Sequence, residues 1–112
     1  MIGVHLILDG VLHHSVEMEV GRRILSELPA LIGMKVLAGP YVVEGVPENP
    51  GWTGVVIIDK SHISIHTFDE GNSVSVDVFS CKTFDEGVVV RFLKEHLPFK
   101  KLKTRMLERS EE

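Results

Sequence analysis

The sequence holds a single cysteine, Cys81, in 112 residues. One thiol excludes an internal disulfide and most structural zinc sites, which draw on several cysteine and histidine ligands. The chain also has no basic surplus. Twelve lysines and arginines stand against 16 aspartates and glutamates, a formal charge of −4, whereas nucleic-acid binders carry the opposite excess. Long apolar runs are missing: Val55–Ile58 and Val88–Val90 fall far short of the ~20 residues that cross a bilayer. The opening Met1-Ile2-Gly3-Val4-His5 has neither a basic n-region nor an extended apolar stretch, so no signal peptide is read there. The expectation is a soluble cytoplasmic protein with no nucleic-acid or membrane partner, in a compartment where a free thiol survives. Repeats, linkers and low-complexity tracts are absent as well.

What is present is the composition of an ordinary globular domain. Apolar residues make up 44% and charged residues 25%, close to the average for folded chains. A chain of this length buries roughly 60–70% of its unfolded surface without staples. A single domain spanning 1–112 is expected.

Element signals follow one another closely. Ile2–Leu8 reads as a strand ending at the Asp9-Gly10 turn. Val16, Val20, Ile24 and Leu28 recur every four residues as a helical stripe. Ser15 is the expected N-cap, with Glu17 and Glu19 in the first turn, and Pro29 should end or kink the helix. Lys35–Val43 reads as a strand interrupted at Gly39-Pro40, and the proline- and glycine-rich Glu44–Gly51 as a loop that can lie over a site. Trp52–Asp59 reads as a buried strand. In Ser61–Thr67, Ile63 and Ile65 alternate with His62, Ser64 and His66. A hairpin loop over Phe68–Asn72 leads into Val74, Val76 and Val78 on the return strand. Thr83 and Glu86 form the spacing of a capping box for a helix that stops at Pro98. Lys100–Glu108 reads as a charged edge strand. The order β-α-β-β-β-β-α-β makes an α+β, two-layer sandwich with a mostly antiparallel sheet and two helices. The second sheet face then needs a cover, and a partner subunit is the simple one.

Several chemistries can be set aside on spacing. His62 and His66 share a strand face but lie about 13 Å apart, too far to grip one ion. No Gly-x-Ser-x-Gly elbow and no phosphate-cradling glycine loop occurs. What stands out is the density of Ser61, His62, Ser64, His66 and Thr67 beside a purely apolar strand. Serine and histidine are poor strand formers unless they meet partners or do chemistry. The hairpin also returns Cys81 towards Ser61, so serine, histidine and thiol are expected in one neighbourhood.

These residues carry a resemblance. Lys60-Ser61-His62-Ile63-Ser64-Ile65-His66-Thr67-Phe68, with Glu70 and then Val76-Asp77-Val78-Phe79-Ser80-Cys81, resembles the small prokaryotic S-adenosylmethionine decarboxylases. Their hallmark is Ser-His-aliphatic-Thr/Ser-Ile-His-Thr-aromatic-Pro-Glu followed by an aspartate-aromatic-x-Cys segment, and the serine–histidine–cysteine spacing matches without a gap. His5-Leu6-Ile7-Leu8-Asp9 resembles the family's first strand. The resemblance implies a proenzyme that cuts itself between Lys60 and Ser61 and converts Ser61 into a covalent pyruvoyl cofactor. Such a carbonyl condenses with the substrate's amine and takes up the electrons released with carbon dioxide. It further implies that His66 removes the Ser61 α-proton and that Thr53, where the family has serine, steadies the ester-forming step. Cys81 would protonate the decarboxylated carbon, and Glu70 would hold the ribose hydroxyls. The implied function is to make the aminopropyl donor for spermidine, in a homodimer whose sites lie at the subunit boundary. Lys60 replaces the usual glutamate, Asp69 the usual proline, and Pro47 a substrate-stacking aromatic for which Trp52 and Phe68 stand in. Two alternatives follow from these departures. One is pyruvoyl-dependent decarboxylation of another amino acid, such as arginine or ornithine. The other is a homologue that never processes and serves as a ligand-binding or regulatory protein.

Overall fold

Strands whose side chains alternate between apolar and polar must lay one face on a core, and the computed structural model, which describes residues 2–112, is built that way. Its elements are β1 (Gly3–Leu12), α1 (Met18–Leu31), β2 (Val36–Glu44), β3 (Trp52–Ile58), β4 (Ser61–Phe68), β5 (Ser73–Ser80), α2 (Glu86–His96) and β6 (Phe99–Arg109). The six strands form one sheet in the order β2-β3-β4-β5-β1-β6, and every neighbouring pair is antiparallel. Expected element order and fold class are both as observed.

One sheet face is dry. Leu6 and Leu8 of β1, Val56 and Ile58 of β3, Ile63 and Ile65 of β4, and Val76 and Val78 of β5 pack with Ile24, Leu25 and Leu28 of α1 and with Val89 and Leu93 of α2. Each such side chain contributes about 1.5–3 kcal/mol by leaving water. Parity sends the neighbours of these residues to the other face. There Tyr41, Val43 and Ile57 are exposed without any covering layer. No helix among the described residues is long and apolar enough to cross a membrane.

The helix ends differ from their sequence signals. Glu17, not Ser15, occupies the N-cap of α1, and it makes no side-chain cap bond. The Trp52 indole N–H donates to the Val16 carbonyl at 2.9 Å, which ties this carbonyl to β3 and delays the first turn. Pro29 does not stop α1, which runs on to Leu31 with Pro29 buried in its last turn. A proline there removes one backbone donor near an end that is about to unwind anyway. Its own carbonyl accepts from the Ile32 and Met34 amides, and Gly33, at φ +71°, reverses the chain as a left-handed residue does after a helix. On α2 the cap is Asp85 rather than Thr83: its carboxylate accepts from the Gly87 amide at 2.8 Å.

Candidate active site

β3 and β4 are joined by two residues, because Ile58 pairs with Ser61. The turn residues are Asp59 and Lys60, and Lys60 takes the left-handed conformation at φ +51°. A residue with a Cβ pays about 1–2 kcal/mol for that shape. The peptide bond between Lys60 and Ser61 therefore leaves a strained residue.

Ser61 is 7% exposed and fully bonded. Its Oγ donates to the Asp59 carbonyl at 2.8 Å and accepts from the Cys81 amide at 2.9 Å. The Cys81 thiol, half-buried, points to the same Asp59 carbonyl at 3.4 Å. One carbonyl oxygen thus gathers the hydroxyl and the thiol. An N–H aimed at Oγ favours negative charge on that oxygen, the charge a serine nucleophile develops as it attacks.

A second cluster lies towards the other end of β4. Thr53 pairs with His66 in the β3–β4 register, with Oγ1 and Nδ1 2.9 Å apart. Both side chains point to the open face, beside a small hollow of about 180 Å³ that Phe68 also lines. Phe68 is 39% exposed and presents ring surface there. Glu70 is exposed in a single 3-10 turn at the same end. A larger cleft of about 660 Å³ adjoins this end and is lined by Val16, Glu44, Pro47, Trp52 and Asp69 among others.

The structure corrects one expectation directly. Ser61 and Cys81 are neighbours, but His66 is not with them. Five residues along a strand span about 17 Å, and an odd spacing places the two side chains on opposite faces. Ser61 and Thr67 share the helix-facing side with Ile63 and Ile65, apart from His62, Ser64 and His66. Thr67 is structural: its Oγ1 accepts from the Trp52 amide at 2.9 Å. Trp52 itself is 4% exposed, and its ring packs so closely over Gly21 that a Cβ there would lie 2.5 Å from it. Its indole is a core element, whereas Phe68 keeps free ring surface. Asp59 was missed in the sequence because it acts through its carbonyl, which carries no residue-type signal. Among the described residues no three metal-ligating side chains gather.

The family model for S-adenosylmethionine decarboxylase matches residues 11–110. The chain belongs to that family. Similar S-adenosylmethionine decarboxylase proenzymes include one from Clostridium botulinum (strain Langeland), 43% identical over 60 residues, which are 53% of this chain and 52% of that protein. Another, from Geobacillus kaustophilus, is 43% identical over 47 residues, 42% of this chain and 38% of the relative. The matched stretch thus spans about half the length of the C. botulinum relative. The crystal structure of the adenosylmethionine decarboxylase from Aquifex aeolicus VF5 superposes with a TM-score of 0.75 at 26% identity, covering 99% of this chain and 95% of that one. Family and fold therefore coincide over nearly all of the chain, both halves of the candidate site included.

Proposed function

We propose that this chain is a proenzyme that cleaves itself before Ser61 and then decarboxylates S-adenosylmethionine, giving the aminopropyl donor for spermidine. The observation that carries the reading is the Ser61 hydroxyl, held between the Asp59 carbonyl and the Cys81 amide, directly after the strained Lys60.

Ser61 Oγ attacks the Lys60 carbonyl carbon, the peptide C–N bond breaks and an ester forms. Removal of the Ser61 α-proton, the task assigned to His66, expels residues 1–60 with a Lys60 carboxylate. Hydrolysis of the remaining fragment, with loss of ammonia, leaves a pyruvoyl group at the start of 61–112. The residues present fit that group: the turn positions the hydroxyl it derives from, and the thiol expected to serve it is already on the same carbonyl. Once formed, the group supplies a carbonyl that condenses with the substrate amine and accepts the electrons left by carbon dioxide. Cys81 delivers the proton to the substrate carbon. Thr53 orients His66 through their hydrogen bond, and Glu70 and Phe68 hold the nucleoside. A catalytic free thiol suits the cytoplasm.

A homodimer completes the site. A single chain keeps Ser61 and His66 at separate ends of β4. The open sheet face carries exposed Tyr41, Val43 and Ile57 on β2 and β3, apolar surface that a second copy would cover. With the two-fold axis across the strands, paired β4 strands would run in opposite directions and the His66 end of one protomer would lie over the Ser61 end of the other.

Intact-mass measurement tests the proposal. The expected result is two chains, residues 1–60 and 61–112, the second reactive with hydroxylamine, with carbon dioxide released from S-adenosylmethionine and not from arginine or ornithine. A single unreactive 12.5 kDa chain overturns it; release from arginine or ornithine alone would keep the cleavage and change the substrate.

A further inference from the structure

Resting on the reading of Ser61 as the self-cleaving residue, we propose that the buried hydroxyl of Ser80 is a positioning residue that sets Cys81 against the Ser61 turn. Neither Ser61 nor Cys81 is held there by its own side chain alone. The amide that donates to Ser61 Oγ belongs to Cys81, which lies just beyond the last residue of β5. Sheet pairing no longer dictates the direction of an amide at that point.

Ser80 supplies the missing constraint. It is 0% exposed, and the β4–β5 register, which runs to His62 opposite Phe79, carries on to set it opposite Ser61. Its Oγ accepts from the Lys82 amide two residues ahead, at 3.1 Å. A serine bonded to the backbone two residues on closes a local turn. Cys81 is the middle residue of that turn, so the directions of its N–H and of its Cα–Cβ bond are held, and Sγ reaches the Asp59 carbonyl from that base. On the far side the Lys82 ammonium donates to the Gly33 carbonyl at 2.8 Å. That bond anchors Lys82 to the residue just past the C-terminus of α1, where a cation is the favoured sign. Cys81 is therefore bracketed by two fixed residues. An alanine at 80 would keep the strand and the burial, but Cys81 would lose the bond that aims it. Threonine would keep the hydroxyl.

The experiment follows cleavage in time by gel after cell-free synthesis of full chains: wild type, Ser80→Ala, Ser80→Thr and Val78→Ala. Val78 is fully buried on the same strand, so its truncation destabilises without touching the turn. Ser80→Ala should slow cleavage about tenfold, the scale of one lost oriented hydrogen bond; Ser80→Thr should restore it, and Val78→Ala should cleave within about twofold of wild type. Wild-type speed in Ser80→Ala, no rescue by threonine, or equal slowing in Val78→Ala each overturns the proposal. If wild type itself does not cleave, the reading of Ser61 fails, and the rate of Cys81 alkylation by iodoacetamide decides the positioning role. Faster alkylation in Ser80→Ala than in wild type and Ser80→Thr supports it, and equal rates in all three overturn it.

Discussion

At one end of β4, Ser61 is buried, faces the helices and shares a carbonyl with the Cys81 thiol. Towards the other end, His66 lies on the open face, bonded to Thr53 across the β3–β4 pair. The first end has a nucleophile and an oriented amide but no base. The second has a base, an orienting hydroxyl and neighbouring hollow space, but no bond to break. Neither is a complete acid–base site by the geometric standard of groups within hydrogen-bond reach. The difference teaches that a single chain keeps its Ser61–Cys81 and Thr53–His66 pairs at separate ends and on opposite faces of one strand, and the proposed dimer is what would bring such ends together.

The comparison can be broken by silencing one end. Ser61→Ala should abolish cleavage and decarboxylation together, leaving an intact chain of unchanged fold by mass and circular dichroism. Cys81→Ser separates the two steps at the same end. The amide that bonds Ser61 Oγ belongs to the backbone and survives, so cleavage should persist. Decarboxylation should fall by about a hundredfold or more, as when a general acid is lost, with transamination as a side product.

The open face offers a milder route. Ile57 is 43% exposed and pairs with His62 across the strands. Ile57→Lys would place an unpaired charge in the proposed face-to-face interface, a costly burial. Sedimentation should show a monomer, and cleavage should slow by about tenfold or more because the two ends no longer meet. Monomeric protein that cleaves at full speed would refute the two-ended site. The smallest expected effect concerns the turn itself. Lys60→Gly relieves the left-handed strain and should slow cleavage only about threefold to fivefold, measured by the same gel assay.

Much of this was legible in the sequence because period-two alternation is a direct consequence of strand geometry. Ile63 and Ile65 against His62, Ser64 and His66 gave β4 and its faces. The unbroken Ser61–His66–Cys81 spacing carried the family. What could not be read depended on contacts between distant segments. Ser15 was a sound cap by type, but the Trp52 indole claimed the carbonyl beside it. Pro29 removes a donor from the last turn, and α1 ends two residues later at Leu31 with the Pro29 ring buried. Trp52 was expected near substrate, yet parity with Gly54, Val56 and Ile58 sends it under α1. The separation of Ser61 from His66 follows from their odd spacing along β4, which sends the two side chains to opposite faces.

A mixing experiment tests the central claim most directly. Ser61→Ala and His66→Ala chains, each unable to cleave alone, are co-expressed in equal amounts and analysed by intact mass. If each site joins Ser61 of one protomer to His66 of the other, every mixed dimer has one wild-type site, and about half of the His66→Ala chains should be cut at Ser61. No cleavage of either chain, in a preparation shown to contain mixed dimers, would contradict the account.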